Sequence, residues 1–502
     1  MNMSASRVRS VRQLSPPLHR QRSWNDGSAL VGELIYEVAP RASFALIGGA
    51  LIGGVLAALG LSNLGMIETF VAASFWTAAL MTATFRGNVG RMLFWVLLID
   101  ASLLIYQVSI HQFVLDEYKI VRLGPPVLAA GLLLLTGSSR TTGHRFVYIT
   151  WILCNLPALF SGLTNEYLSL ADTIVVVAFN TLYPLAIYYA VQCETHADER
   201  AFDRISLSAI VLCIAPTALM PVELAARDSS SFASLQFGGR AYSVIGALYL
   251  LWPILVTRLT VWRPKLRALS IGAILLVFAT SFSRGAMLSL FLMLTGTVIF
   301  AGKSRGKLVS GVLATGLVLL GIGSVLFQER LGEGVWFWLL RMNVASNLSN
   351  HMIFDVQEFL LTDRDSIWQL AVTFFGWSPL WGHGIGSTPV LLDTVTSGRI
   401  AFSGMHNFFL TVLVERGLIG FAGLLLLCGR IALLTWMGPP ESRFFVGYSF
   451  FVFLLFANST GVELFLNSSK SFNVTITVYL FMLLAWLERR AVGHPSYQLA
   501  KK

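Results

Sequence analysis

The chain has 502 residues, of which 55% are hydrophobic and only 12% charged, and its mean hydropathy is +0.69. A soluble domain carries roughly 25% charged residues, so this composition excludes an ordinary soluble protein and indicates a polytopic membrane protein. The formal net charge of +10 would suit a nucleic-acid partner, but the basic residues are divided among a tail and short loops between apolar runs, which argues against one.

Cysteine usage offers neither a disulfide framework nor a metal site. Cys154, Cys213 and Cys428 lie inside apolar runs, and Cys193 lies near the end of one. Their spacing matches no metal-ligand pattern. We therefore expect neither a metal nor another cofactor.

Apolar runs of roughly 17–25 residues recur along the chain, and each is long enough to cross ~30 Å of hydrocarbon as a helix. They lack the alternation of barrel strands. We therefore predict an all-α, polytopic transmembrane helical bundle of about 12 to 14 spans. The predicted spans are 42–61, 66–85, 92–110, 122–137, 146–163, 170–190, 205–222, 241–260, 266–282, 285–301, 307–327, 412–434, 443–460 and 471–487.

The basic residues of the loops predict the orientation, because cytoplasmic loops carry an excess of Lys and Arg. With both termini cytoplasmic, most loop arginines and lysines fall on the cytoplasmic side. This divides the chain into a basic cytoplasmic tail (1–41), N-terminal membrane spans (42–327), a large extracytoplasmic loop (328–405), C-terminal spans (406–487) and a second cytoplasmic tail (488–502).

The large loop is predicted to contain an amphipathic helix that begins at Thr362, since Thr362 and Asp365 form a capping-box-like start. The apolar residues behind this start keep a helical period, namely Ile367, Leu370, Ala371, Phe374 and Phe375. Trp377 and Trp381 suit a helix that lies on the membrane surface. Pro379 and the glycines of the GHGIG run are expected to end this helix in a turn.

Arg364 lies in the first turn of this predicted helix. Free N–H groups and the helix dipole favour an anion there, and a guanidinium offers a planar donor fork that matches phosphate. Trp368, four residues on, shares its face and would hold the guanidinium by stacking. The alternative is an interfacial arginine paired with Asp363 or Asp365.

Two further arginines fall on the same side as Arg364 in the predicted topology. Arg284 stands in TSFSRGA between two spans with almost no loop, and it is interpreted either as a phosphate contact or as an arginine that snorkels to the interface. Arg240, in FGGR, is either a third contact or an ordinary flank of a span. The sequence therefore predicts that three distant arginines meet on one side of the membrane.

His406 opens the span that follows the loop, with Asn407 beside it. A helix N-terminus disfavours the imidazolium, so a neutral ring there is able to accept a proton from a hydroxyl. The alternative is an ordinary interface histidine. His383 in GHGIG competes for the same role, and the glycines around it either present N–H groups to a phosphate or form a plain turn. The ERG run at 415–417 is interpreted as an ion-paired, helix-packing feature.

These segments occur together in one order: SRGA at 283–286, Arg364 with Trp368, SPLWGHGIG at 378–386 and HNFFLTVLVERGLIG at 406–420. In this order, with a long loop between them, they resemble the O-antigen ligase and O-antigen or exopolysaccharide polymerase superfamily. The resemblance runs from about Gly239 to Trp436. The N-terminal half of the chain matches only as generic hydrophobic spans.

The resemblance implies a metal-independent glycosyltransferase with a GT-C-like helical fold, multi-pass in the bacterial inner membrane and active at its periplasmic face. The donor would be a glycan on undecaprenyl diphosphate. Arg284 and Arg364 would bind the diphosphate and His406 would be the general base, with Trp368, Asn407 and His383 in support. Arg240 is followed by AYSVIG instead of the Pro-Asn pair frequent in the family, so its contact with donor or acceptor is left open.

Two activities use such a site. A polymerase joins one repeat unit to another, whereas a ligase joins the finished glycan to lipid A–core; the number of predicted spans favours the polymerase. A flippase or other transporter would show internal repeats and charged groups within the bundle, and the polar groups here collect on one side instead. The expected partners are the lipid-linked donor, a glycan acceptor and the bilayer, with a chain-length regulator and a flippase as further partners and no nucleic acid.

Overall fold

The computed structural model describes residues 142–164, 170–193, 237–280, 284–300, 364–396, 405–460 and 476–492, together with isolated residues between 206 and 213. Within these ranges every regular element is an α-helix. The helices are α1 (Thr142–Thr164), α2 (Leu170–Cys193), α3 (Phe237–Leu259), α4 (Pro264–Thr280), α5 (Arg284–Phe300), α6 (Arg364–Trp377), α7 (Ser387–Thr396), α8 (Phe408–Met437), α9 (Pro440–Thr460) and α10 (Ile476–Val492). The predicted all-α fold is confirmed.

The predicted spans agree with these helices wherever both are described. The matching spans are 146–163, 170–190, 241–260, 266–282, 285–301, 412–434, 443–460 and 471–487. The predictions at 42–61, 66–85, 92–110, 122–137 and 307–327 lie outside the described residues, and 205–222 is described only at isolated positions. Helix α7 was not predicted.

Two of the described helices, Phe408–Met437 and Ser442–Ser459, are long and apolar enough to cross a membrane. Shorter apolar helices accompany them: Arg145–Phe160, Val176–Tyr189, Val244–Leu259, Leu288–Phe300 and Ile367–Trp377. The bundle core between them is rich in aromatic rings; Trp151, for example, packs edge to face on Phe481 with ring centroids 4.7 Å apart.

Helices α1 and α8 approach each other along small residues of α8. A Cβ atom added at Gly423 would lie 2.7 Å from the backbone nitrogen of Cys154 and 2.8 Å from the carbonyl oxygen of Thr150. Lipid supplies little hydrophobic driving force between helices, so such close backbone packing carries much of their association.

Replacing Gly423 by leucine is therefore expected to separate α1 from α8. Overpacking of this kind costs roughly 1–3 kcal/mol or more, because the atoms in the way belong to the backbone and cannot rotate aside. Thermal unfolding of the purified protein in detergent measures the effect. Gly429→Leu is the matched control, since Gly429 lies on the same helix with nothing within 4 Å of its added Cβ; equal losses in the two variants would contradict the close contact.

A chain of contacts places the N-terminal ends of α5 and α8 at one end of the bundle, beside the middle of α3 and the C-terminal end of α9. The Tyr249 hydroxyl on α3 donates to the carbonyl oxygen of Ala286 at 3.0 Å, and its ring packs on Phe456 with centroids 5.1 Å apart. Ala286 lies two residues into α5, and Phe456 lies in the last turns of α9. Two residues further along α9, the side-chain oxygen of Asn458 accepts the backbone N–H of Phe409 at the start of α8. We call this the His406 end.

The opposite end of the bundle is basic and is closed by a polar cluster around Glu488. The Glu488 carboxylate accepts hydrogen bonds from Arg430, at 3.0 and 3.2 Å, from the Tyr188 hydroxyl and from Gln192. Basic residues of the helix ends gather on this side, namely Arg258, Arg263, Lys265, Arg267, Arg443, Arg489 and Arg490. Such a distribution is typical of a cytoplasmic end.

Candidate functional site

The turn that carries His406 is fixed by two neighbouring elements and by its own cap. The Trp368 indole N–H on α6 donates to the carbonyl oxygen of Met405 at 3.1 Å, and Asn407 caps α8 by accepting the N–H of Leu410 at 3.1 Å. Together with the contact from Asn458, these bonds fix the backbone on both sides of the histidine. The half-buried His406 is the only described non-glycine residue with positive φ, at 48°. Non-glycine residues in this region are uncommon, and they cluster at functional sites.

Asn458 is a positioning residue next to the His406 turn that the sequence reasoning missed. Its side-chain oxygen accepts the N–H of Phe409 at 3.2 Å, and its amide donates to the carbonyl oxygen of Leu454 at 2.8 Å. It therefore satisfies one of the free N–H groups in the first turn of a different helix. The only sequence signal is a polar FANST run at the end of an apolar span.

Replacing Asn458 by leucine is expected to release this contact and to loosen the His406 turn. A lost hydrogen bond of this kind costs about 0.5–1.5 kcal/mol, so the chain should still fold. We expect a loss of the glycan transfer that the resemblance implies, greater than the loss of stability, measured as initial rate against thermal unfolding. Asn458→Asp keeps an acceptor oxygen and should retain more activity; equal rates in both variants would show that the bond is dispensable.

Helix α8 is broken at Gly417, whose φ of 62° and ψ of −167° are not helical. In a straight helix Phe409 and Phe421 would be separated by ~18 Å along the axis. Their ring centroids are instead 5.8 Å apart, edge to face. Residues 408–416, which we call the bent limb, therefore fold over the end of the bundle with His406 at their start.

The GHGIG segment closes the break in α8 through a ladder of backbone hydrogen bonds. The N–H groups of His383 and Gly384 donate to the carbonyls of Val414 and Glu415 at 2.8 and 3.0 Å. In the other direction, the N–H groups of Leu418 and Ile419 donate to the carbonyls of Pro379 and Leu380, at 2.8 and 3.3 Å. The predicted turn is present, and its additional role is to satisfy the backbone groups that the break exposes.

Gly382 is required in this turn. Its φ is 74°, and an added Cβ would lie 2.5 Å from the backbone nitrogen of Arg416. Only glycine tolerates both the left-handed conformation and this close backbone approach. The turn and α8 are therefore fitted to each other through main-chain atoms.

Glu415 and Arg416, at the break, extend to different parts of the molecule. Glu415 accepts the hydroxyl of Thr388 on α7 at 3.0 Å, whereas Arg416, with no exposed surface, donates to Oδ1 of Asn155 and the carbonyl of Cys154 on α1. The predicted helix-packing role of this run agrees with these contacts. Through them the bent limb is joined both to the loop and to the bundle.

His383 is anchored by its ring. Its Nε2 lies 2.7 Å from the carbonyl oxygen of Phe374, and because a carbonyl only accepts, Nε2 carries the proton. The ring also meets Trp377 edge to face with centroids 6.3 Å apart. This tautomer ties the turn to the end of α6.

A small apolar core holds α6 against the bent limb. Ile367, Ala371 and Phe374, the predicted inner face of α6, have no exposed surface. They pack with residues of α7, of the His406 turn and of the limb, namely Leu391, Leu392, Met405 and Val414. The apolar residues of the predicted helical period therefore form the face of α6 that packs against the turn carrying His406.

The three candidate arginines all lie at helix starts. Arg284 and Arg364 are the first residues of α5 and α6, and Arg240 lies in the first turn of α3. The start of α6 is next to the His406 turn, since Trp368 is one helical turn further along and contacts Met405. The side-chain contacts of these arginines, and Asp363, lie outside the described part of the chain, so their predicted pairings stay predictions.

The described residues contain no group of three or more His, Cys, Asp or Glu side chains placed to hold a metal ion. What they define is an all-α protein of membrane-helix character in which a bent helix places a histidine over one end of the bundle, next to the start of α6, where Arg364 stands.

Residues 268–425 match the family model described as O-Antigen ligase, and this segment supports the resemblance to the O-antigen ligase and polymerase superfamily. Members of this family are membrane proteins that transfer glycosyl groups. The matched segment contains Arg284, Arg364, His383 and His406, whereas Arg240 precedes it. No curated protein gives a significant match to the chain.

Proposed function

We propose that this protein is a polymerase that joins polyprenyl-diphosphate-linked oligosaccharide repeat units into a surface polysaccharide at the periplasmic face of the bacterial inner membrane. The observation that supports the proposal is the fixed His406 turn, which lies next to the start of α6, where Arg364 stands, and at the same end of the bundle as the start of α5. This end lies opposite the basic end of the bundle, so the positive-inside rule favours a periplasmic position for it.

The donor diphosphate is assigned to the helix starts. The first turn of a helix presents free N–H groups and the positive end of its dipole, which favour an anion. Arg284 and Arg364 would add guanidinium forks to two such starts, and Arg240 to a third. Preorganised positive charge stabilises the leaving diphosphate as its negative charge grows, without a metal.

The acceptor is activated by His406. A hydroxyl oxygen of one repeat unit attacks the anomeric carbon of the other, and the bond from that carbon to the diphosphate oxygen breaks. His406 takes the hydroxyl proton, and the polyprenyl diphosphate leaves with the electron pair. The position of His406 just before a helix N-terminus disfavours the imidazolium, so the ring is held ready to accept that proton.

His383 suits this step less well than His406. Its Nε2 already donates to Phe374, and its backbone N–H is part of the ladder that closes the break in α8. We therefore assign it to positioning the turn.

The diphosphate assignment is tested by comparing Arg364→Ala with Arg263→Ala. Arg263 is an exposed arginine in the α3–α4 turn at the opposite end of the bundle, so it controls for the loss of one positive charge. We expect Arg364→Ala to lose transfer and Arg263→Ala to keep it, with equal insertion of both into the membrane. Full activity in Arg364→Ala would contradict the assignment.

A ligase is the second candidate, because the matching family model is described by that activity. The two are separated by the glycan profile of a deletion strain, resolved by chain length. Glycans of a single repeat unit on the cell surface would support the polymerase. Loss of all lipid A–core-attached glycan, with free polymer retained, would support the ligase instead.

A further inference from the structure

An exposed apolar patch surrounds the break in α8. Trp377, Leu380 and Trp381 of the loop are 60%, 57% and 45% exposed, and Leu418 and Phe160 beside them are 48% and 49% exposed. Leu380 and Leu418 are brought together by the backbone ladder, and Phe160 meets Trp381 edge to face with centroids 5.5 Å apart. Contiguous apolar surface of this kind marks an interaction site. We call these five residues the turn patch.

The turn patch continues into the exposed apolar faces of two spans. On α1, Phe160 follows exposed residues at helical spacing, namely Ile149, Ile152 and Leu156. On α8, Leu418 is followed by Leu425, Leu426 and Leu433, which are also exposed. In a membrane protein such stripes face lipid, so the patch is the end of a lipid-facing surface.

The length of α8 beyond its break matches the membrane. From Leu418 to Met437 a continuous helix is ~30 Å long, which is the thickness of the hydrocarbon core. At its far end Trp436 is 65% exposed and stacks on Arg443, whose Cζ lies 4.8 Å from the ring centroid. Exposed tryptophans therefore lie at both ends of the segment from Leu418 to Met437: Trp377 and Trp381 near its start and Trp436 near its end. Tryptophan is enriched at both membrane–water interfaces.

We propose that the turn patch is seated in the lipid at the periplasmic boundary of the hydrocarbon, with the bilayer itself as its partner. The break at Gly417 then marks that boundary. Since Phe409 contacts Phe421 and Asn458, the bent limb lies across the bundle within about one helical turn of the same level. The His406 turn is thereby held where lipid headgroups begin. This inference is independent of the proposed reaction and takes only the periplasmic side of the membrane from the proposed function.

The test uses the full chain, labelled with fluorotryptophan and reconstituted in phospholipid nanodiscs. Trp377→Phe and Trp381→Phe each delete one fluorine resonance and so assign it. Two paramagnetic probes are then compared: a lipid with a nitroxide near its headgroup, and a water-soluble gadolinium chelate. We expect both resonances to disappear with the nitroxide lipid and to persist with the chelate.

Two native residues serve as references. Trp151 is fully buried and should respond to neither probe, whereas Trp436, at the other boundary, should respond to the nitroxide lipid. Loss of the Trp377 and Trp381 resonances with the chelate alone would place the patch in water. Resonances that resist both probes would show that protein covers the patch. Either outcome overturns the proposal, whether or not glycan transfer is observed.

Discussion

Replacing His406 by asparagine is expected to lower the rate of glycan transfer by about 10²–10⁴-fold, the usual contribution of a positioned general base. Asparagine tolerates the left-handed conformation that His406 adopts, at φ 48°, so the backbone of the turn should be retained. It cannot take the hydroxyl proton. The loss should therefore appear in the rate and not in stability.

The measurement is the initial rate of transfer by purified protein, alongside thermal unfolding. Leu426→Ala is a suitable control, because Leu426 is an exposed residue on the lipid-facing side of α8, far from the His406 turn. If His406→Asn retained the full rate, His406 would not be the general base. His383→Asn would then be the next variant to measure.

Replacing Gly417 by alanine is expected to give the largest structural effect. Its backbone, at φ 62° and ψ −167°, lies in a region that is essentially reserved for glycine, and a strained residue there costs roughly 1–3 kcal/mol. In addition, the new Cβ would lie 2.3 Å from the carbonyl oxygen of Leu380 and 2.6 Å from the nitrogen of Gly382. Overpacking against backbone adds roughly 1–3 kcal/mol.

We expect Gly417→Ala to detach the GHGIG turn from α8 and to release the bent limb. Thermal unfolding should shift downward, and limited proteolysis should begin to cleave between 378 and 386. Gly429→Ala, on the same helix, has open space around its added Cβ and should be slightly stabilising, by up to about 1 kcal/mol. Equal behaviour of the two variants would show that the break does not depend on glycine.

Local sequence patterns were sufficient to predict the helix in the large loop. The capping-box pattern predicted a helix from Thr362, which lies outside the described residues, and the described helix begins at Arg364; the period of Ile367, Ala371 and Phe374 predicted its buried face. These features depend on residues within a few positions of one another. The same applies to most spans, whose length and apolar composition are visible in any short window.

The break in α8 was not predicted, because it is stabilised by distant residues. The run from 412 to 434 is predicted from the sequence as one continuous span, and a glycine within such a span is ordinary. The structure shows that Gly417 is opposed by Leu380 and Gly382, which satisfy the backbone groups exposed there. Only the fold brings these two segments together, so no local pattern carries the signal.

The polar contacts that fix the site were missed for the same reason. Asn155 is a single polar residue within an apolar run and Asn458 begins the short polar end of another, and the partners of both are on other helices. Trp368 was predicted to stack on Arg364; the described contact is its hydrogen bond to Met405, and the stacking stays a prediction. The assignment of Arg240, Arg284, Arg364 and His406 to one catalytic site likewise remains a prediction.

The most direct test of the proposed polymerase is reconstitution of the purified chain in nanodiscs with a single substrate, a polyprenyl-diphosphate-linked repeat unit, and no ion gradient. The proposal predicts a ladder of lipid-linked products that grow by whole repeat units, with the release of free polyprenyl diphosphate and loss of the ladder in His406→Asn. An unchanged donor, or transfer that occurs only when lipid A–core is supplied, would contradict it.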